Sequence, residues 1–197
     1  MTEDRLAPPS IDPADAAAAA ARFAATAPVD VAYAMADSPL GTLVLAGTER
    51  GLAIVSYADF DGGVAAALDR VALRLSPRML ELPSRLDEPR RQLEQYFAGS
   101  RTAFELDIDW TLVPGFGRRV LEAAAAIPFG QVSTYGAVAA EAGNPRAPRA
   151  AGRALGANPV PIVIPCHRVL NASGALHGYT GGLERKQTLL RLEGVLL

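Results

Sequence analysis

Between residues 29 and 58 the chain carries three short runs rich in β-branched and aromatic residues, VDVAYAMAD, GTLVLAGT and GLAIVSYA, with SPLG and ERG between them. Runs of this length, with turn-forming residues at hairpin spacing, predict an antiparallel meander. The period then changes. GGVAAALDRVALRL places Val64, Leu68, Val71 and Leu75 three and four residues apart, which predicts an amphipathic helix. LDEPRRQLEQYFAG predicts another, with Asp87 as its N-cap and Gly99 as its stop. TAFELDIDW alternates and predicts a strand that closes this half of the chain.

LVPGFGRRVL marks a boundary at about residues 111–115, and beyond it the pattern is helical: FGRRVLEAAAAIP, STYGAVAAEAG and PRAAGRALG. The last two are joined by NPRA. Ser133 is placed to cap the first of this pair, Gly143 to stop it, and Pro148 to occupy the first turn of the second, where its missing N–H costs nothing. So tight a helical pair is a helix-turn-helix candidate, although ordinary helical hairpins share the pattern. GLERKQTLLRLEG brings Leu183, Leu189, Leu190 and Leu192 near helical spacing and predicts a closing core helix, with Arg185 and Lys186 on a solvated face. Residues 1–28 are rich in Ala, Pro and Asp. PADAAAAAARFAATA has helix propensity but no apolar stripe, so the tail is expected to be flexible or loosely docked. The expected division is a tail over 1–28, an α+β domain over 29–112 and a helical domain over 113–197.

Half of the residues are hydrophobic, enough for a sizeable core. One cysteine cannot form an internal disulfide, and with two histidines it makes a poor metal set. No metal or cofactor is expected. The N-terminus is acidic where a secretory signal is basic, and Ala16–Ala21 is too short to span a bilayer. These features read as a soluble, cytoplasmic chain with no membrane partner. The net charge of −2 conceals an asymmetry: residues 1–112 carry 10 Arg against 17 Asp and Glu, whereas residues 113–197 carry 9 Lys and Arg against 4 Glu. A basic C-terminal half suits a nucleic-acid-binding domain, though solvated charge can segregate by chance. Arg149 and Arg153 stand among Ala150, Ala151, Gly152 and Ala154. A helix so slim suits close approach to a backbone or the minor groove better than base reading in the major groove.

The single cysteine lies in NPVPIVIPCHRVL, residues 158–170. Prolines 159, 161 and 165 stiffen the approach to Cys166, and His167 and Arg168 follow it directly. A thiol is a weak nucleophile until a neighbouring base or cation ionises it. Adjacent side chains on an extended strand point to opposite faces, so His167 reaches the sulfur only through a bend or a water. An inert core cysteine is the alternative reading.

IPCHRV resembles the active-site signature of the O6-alkylguanine-DNA alkyltransferases. The similarity runs without a gap from PFGQVSTYGAV to LLRLEG, and more weakly over DSPLGTLVLAG to FELDIDW, leaving only the tail uncovered. It implies an α+β chain of two domains: a ribonuclease-H-like antiparallel sheet with helices, then a mainly helical DNA-binding domain with a helix-turn-helix. It implies a single-turnover methyltransferase, a monomer with no cofactor that acts on double-stranded DNA containing O6-alkylguanine after flipping the base out of the duplex. By position, Cys166 would accept the alkyl group, held ionised for attack. His167 would act as base through a water, Glu193 would orient it, Asn158 would hold the turn and Tyr135 would donate a proton to the leaving guanine. Pro161, Tyr179 and Thr180 would line the alkyl pocket, and main-chain groups of Cys166 and Val169 would read the base. Arg149 would enter the base stack, with Thr134, Ala150 and Gly152 lying on the DNA. Arg168 reads as a structural ion-pair partner and His177 as a solvent-facing loop residue. Three other readings stay open at this point: a non-catalytic lesion binder of the same fold, a transcription regulator using the helix pair, and a cysteine hydrolase.

Overall fold

A computed structural model describes residues 12–26, 28–60, 62–176 and 178–196; His177 lies outside them. The first half is built on a four-stranded sheet. β1 (Val31–Ala36), β2 (Leu43–Thr48) and β3 (Gly51–Tyr57) form the expected antiparallel meander, with Ala34 opposite Leu45 and Leu45 opposite Val55. After α2 (Gly63–Arg74), the short β4 (Met79–Glu81) adds to the far edge, parallel to β1, and the strand order is β3-β2-β1-β4. Three residues carry too little periodicity to mark β4 in the sequence.

Strand β2 explains the layering. Leu43, Val44, Leu45 and Ala46 are all buried in succession, the pattern of a strand covered on both faces. On one face Ala46, with Val31, Ala53 and Ile54, packs against Val71 of α2. On the other, Leu43 and Leu45 join a core that includes Leu93 and Tyr96 of α3 (Asp87–Phe97) and Val120 and Leu121 of α4 (Gly115–Ala125). One apolar core therefore runs through both halves of the chain.

Two local expectations of the first half change. Asp87 is not an N-cap: a 3-10 turn over Pro83–Leu86 runs directly into α3, which puts Asp87 inside the first helical turn. There its carboxylate still faces the positive end of the helix dipole. Gly99 does stop the helix, at φ 72°. TAFELDIDW is extended but is no strand of the sheet. It bridges β3 at Leu52, whose N–H reaches Asp107 O (2.8 Å) and whose carbonyl receives Asp109 N–H (2.9 Å). Side chains replace the missing ladder: the buried Gln92 amide accepts from Glu105 N–H (2.8 Å) and donates to Glu105 O (3.0 Å). In the tail, α1 spans Pro13–Thr26 and runs beside β4.

The second half packs α4 against α5 (Tyr135–Glu141) and α6 (Pro148–Gly156), the tight helical pair. Thr134, not Ser133, caps α5: its hydroxyl accepts from Ala137 N–H at 3.2 Å. Ser133 instead belongs to β5 (Ser133–Thr134), which pairs in parallel with β6 (Val169–Leu170) and ties the foot of α5 to the segment after the cysteine. Gly143 (φ 84°) follows α5 and Pro148 opens α6, as the sequence indicates. α7 (Leu183–Leu192) closes the fold, burying Leu189 and Leu190 but leaving Leu183 exposed. Among the described residues no helix is long and apolar enough to cross a membrane.

Replacing Gln92 with leucine removes both hydrogen bonds to Glu105 while keeping side-chain bulk. The expected loss is about 1–3 kcal/mol, the cost of leaving part-buried backbone groups unpaired, or a melting point lower by roughly 2–10 °C; thermal and urea unfolding measure it.

Candidate active site

The site begins with the loop that delivers the cysteine. Ile164 N–H bonds Val160 O at 2.9 Å, closing a turn in which the fully buried Ile162 sits at φ 75°. A β-branched residue rarely occupies this left-handed region, which costs about 1–3 kcal/mol and persists only where its surroundings over-determine it. Asn158 does much of that. Its Oδ1 accepts from Val160 N–H (3.0 Å), and its Nδ2 donates to both Ile164 O (2.9 Å) and Cys166 Sγ (3.2 Å). One buried amide thus fixes the turn and addresses the sulfur. Cys166, His167 and Arg168 then form a 3-10 turn, the bend needed for neighbouring side chains to share one site.

Behind the sulfur lies a buried charge cluster centred on Glu193, which caps α7. Its Oε1 pairs with His167 Nε2 (2.9 Å) and accepts from Tyr96 OH (2.6 Å) and Arg168 Nη2 (2.9 Å). Its Oε2 accepts from Arg168 Nε (2.9 Å). Arg168 also donates to Ile127 O at 2.5 Å, so its expected structural ion pair is with Glu193. Burial opposes the carboxylate, but the bonds from His167, Arg168 and Tyr96 prevail and hold Glu193 down at about 2. A carboxylate can only accept hydrogen bonds, so His167 Nε2 carries the proton and Nδ1 is the bare, basic nitrogen. That Nδ1 is buried and has no protein partner, a place for a bridging water. Burial pushes the imidazole below its ordinary value, against the pull of Glu193, so the resting ring is neutral and able to take a proton.

The thiol shifts the other way. Burial raises Cys166, and the Asn158 bond and the Lys186 charge lower it only in part. The resting sulfur is therefore a thiol, which corrects the expectation of a sulfur held ionised. Lys186 is a second correction. It is wholly buried and donates to Val169 O at 2.7 Å, because α7 turns that face inward to the cysteine loop. Arg185 is also paired, with Asp59 (2.6 Å), and lies over the Tyr57 ring at 4.3 Å.

Cys166, 6% exposed, opens onto a cleft of about 790 Å³. Tyr135, Arg149, Gly152, Tyr179 and Thr180 line it as well. The Tyr135 ring lies against Gly152, where an added Cβ would stand 3.6 Å from it. Arg149 is exposed at the start of α6, and Ala150 is half-buried beside it. Thr134 is spent on capping α5. Pro161 does not line this cleft: it is buried and borders a smaller cavity of about 140 Å³ shared with Tyr57 and Thr180. Val169 has its N–H bonded to Cys166 O and its carbonyl to Lys186. Tyr96, Lys186 and Tyr57 were invisible to sequence reasoning, since only the fold brings them to the cysteine. Among the described residues no group of His, Cys, Asp and Glu is arranged to hold a metal.

These shifts fix how stability follows pH. Glu193 and His167 have folded values below their ordinary 4.5 and 6.5, so their stabilisation is present above those values and is lost as pH falls. Cys166 is raised above 9.0, so its contribution is lost as pH climbs past that point. The melting temperature should be highest between about pH 6.5 and 9. Glu193→Gln should lower that plateau and flatten the decline between pH 4.5 and 2; thermal melts across the range check both.

Two family profiles divide the chain. Residues 115–195 match the 6-O-methylguanine DNA methyltransferase DNA binding domain, and residues 31–110 match the ribonuclease-like domain of the same family. A methylated-DNA--protein-cysteine methyltransferase of Methanosarcina acetivorans is 40% identical over 82% of this chain and 97% of its own length. One of Mycolicibacterium paratuberculosis is 42% identical over 83% and 92%. Among solved structures, the O6-methylguanine methyltransferase of Mycobacterium tuberculosis superposes with a TM-score of 0.70 at 38% identity, covering 83% of this chain and 92% of that one. A complex of that organism's protein with DNA gives the same TM-score, covering 82% and 92%. This chain belongs to the 6-O-methylguanine DNA methyltransferase family.

Proposed function

We propose that this protein repairs DNA directly, moving an alkyl group from O6 of guanine to the sulfur of Cys166, once per molecule. The observation that carries the reading is a lone cysteine opening onto a large cleft, with a neutral histidine and its carboxylate partner buried behind it. The names of the relatives point to the same chemistry.

An alkyl group on O6 is out of reach inside a duplex, so the base has to leave the stack, at a cost of a few kcal/mol. The +5 half of the chain (9 Lys and Arg against 4 Glu) supplies attraction to phosphate. Arg149, exposed at the first turn of α6, fills the vacated space while Thr134, Ala150 and Gly152 face the DNA. The flipped guanine enters the cleft with its alkyl group between Cys166 and Tyr179. Thr180 borders the same wall, and Pro161 backs it from the smaller cavity. Main-chain groups of Cys166 and Val169 read the base edge.

The Cys166 proton passes through a water to His167 Nδ1, and Glu193 stabilises the imidazolium that results. Sulfur attacks the alkyl carbon; the S–C bond forms as the C–O6 bond breaks. The released electron pair goes to the guanine ring, where Tyr135, kept protonated by burial, donates a proton. Because the resting thiol and imidazole are both neutral, neither of these two groups presents a charge to the base until reaction begins. The product is a thioether, which water does not hydrolyse. One chain holds every group invoked, so the protein acts as a monomer on double-stranded DNA, and the steps as written need no cofactor. The helical unit over 113–197 carries the chemistry and DNA contact, and the unit over 29–112 supports it.

Incubation with duplex containing O6-methylguanine should add one methyl mass to the peptide carrying Cys166. Cys166→Ala should lose transfer while binding the same DNA; transfer that survives in this variant overturns the assignment, and binding by wild type without a mass gain favours a lesion binder. Arg149→Ala should slow repair in duplex by about a hundredfold, the scale of a lost few-kcal/mol contribution to extrusion. The same variant should react with free O6-benzylguanine at nearly the wild-type rate. Equal slowing of both removes the wedge role.

A further inference from the structure

The wall that Tyr179 gives to the cleft is not held by the helical half alone. The hydroxyls of Tyr179 and Tyr57, the last residue of β3, share a hydrogen bond of 2.9 Å, and the two rings meet edge-on with centroids 6.4 Å apart. On its other side the Tyr179 ring stands edge-on to His167, 6.5 Å between centroids. Burial keeps both phenols protonated, with Tyr57 pushed up to about 12, so the pair is neutral.

Tyr57 is itself clamped. It is 2% exposed. Arg185 covers its ring at 4.3 Å while bonding Leu40 O (3.0 Å), Gly181 O (3.0 Å) and Asp59 (2.6 Å). Gly181 passes so close that a Cβ there would stand 2.3 Å from Tyr57 Cε2 and 3.0 Å from Tyr179 Cε1. The segment from Tyr179 to Gly182, closed by a Gly182 N–H to Tyr179 O bond of 2.9 Å, is thus pressed against a residue of the first domain. Next to it lies the 140 Å³ cavity bordered by Tyr57, Pro161 and Thr180, which gives this wall room to retreat if its tether is cut.

We propose that Tyr57 is a positioning residue that sets which alkyl groups the cleft accepts, by holding Tyr179 at a fixed distance from Cys166 through their shared hydrogen bond. The proposal rests on the alkyl-transfer reading above and adds to it a specificity determinant from the domain that carries no nucleophile. With the bond intact the wall stands close to the sulfur and orients a small methyl group. Without it, Tyr179 can lean toward the neighbouring cavity; a methyl group is then held loosely, while a benzyl group gains space.

The test measures second-order transfer rates from duplexes containing O6-methylguanine and O6-benzylguanine, using the full chain and its Tyr57→Phe, Tyr179→Phe and doubly substituted variants. Phenylalanine keeps the ring under Arg185 and against Gly181, so melting points should stay within about 3 °C of wild type. Each single variant should raise the benzyl-to-methyl rate ratio about three- to tenfold, the scale of one lost hydrogen bond. The double variant should raise it no further than the singles, because both remove the same bond. An unchanged ratio in Tyr57→Phe, or effects that multiply in the double variant, overturns the proposal. Failure of wild type to take up alkyl from either duplex would instead defeat the underlying reading, so the two failures are distinct.

Discussion

Glu193 is the constraint around which the site is organised. A carboxylate withdrawn from water is costly unless its lone pairs are filled. Here they are filled from three directions: Tyr96 from the sheet domain, and His167 and Arg168 from the turn that begins at the cysteine. Removing any donor leaves an undercompensated buried charge, and removing the acid strands a buried guanidinium. The cluster therefore fixes at once the tie between α3 and the C-terminal end of α7, the tautomer of the imidazole and the seat of the cysteine turn. Cohesion of the two halves and readiness for chemistry rest on the same four side chains.

The strained turn depends on this anchoring. Ile162 is held in the left-handed region between Asn158, which bonds Val160 and Ile164, and the ion-paired Arg168 beyond the cysteine. Strain of this kind is kept at functional sites because surrounding structure over-determines it. Its product is a sulfur that opens onto a cleft and takes a hydrogen bond from the Asn158 amide. Burial keeps both reacting groups neutral at rest. In the proposed reaction, charge then develops only when substrate is present, which protects a protein that has one sulfur to spend.

The sheet domain does more than cover the helical one. Tyr96 reaches the buried acid, Tyr57 reaches the cleft wall through Tyr179, and Asp59 reaches Arg185. All three leave the sheet domain for the cysteine side of the molecule. The acidic first half thus reads as a backstop for a basic second half whose exposed Arg149 and Arg153 line the cleft of the cysteine.

The sequence by itself determined what is local or periodic. The meander, the helices of both halves, the stops at Gly99 and Gly143, the entry at Pro148 and the setting of Cys166 all follow from residue spacing and turn chemistry that act within about ten residues. Similarity to a known family then named His167, Glu193, Asn158 and Tyr135 as partners of the sulfur; the fold puts the Asn158 amide on the sulfur and pairs His167 with Glu193 in a separate buried cluster. Tertiary structure alone decided the rest. Lys186 looks like any charged residue on a closing helix, yet it faces inward because α7 packs that side on the cysteine loop. Asp87 looks like a cap, yet a preceding 3-10 turn draws it into the helix. β4 and the single bridge at Leu52 are too short to leave a period. Tyr57 and Tyr96 lie 109 and 70 positions before the cysteine, and the state of the thiol depends on how deeply all of them bury it. Such features are set by contacts between residues far apart in sequence, whose energies exist only once the chain has closed upon itself.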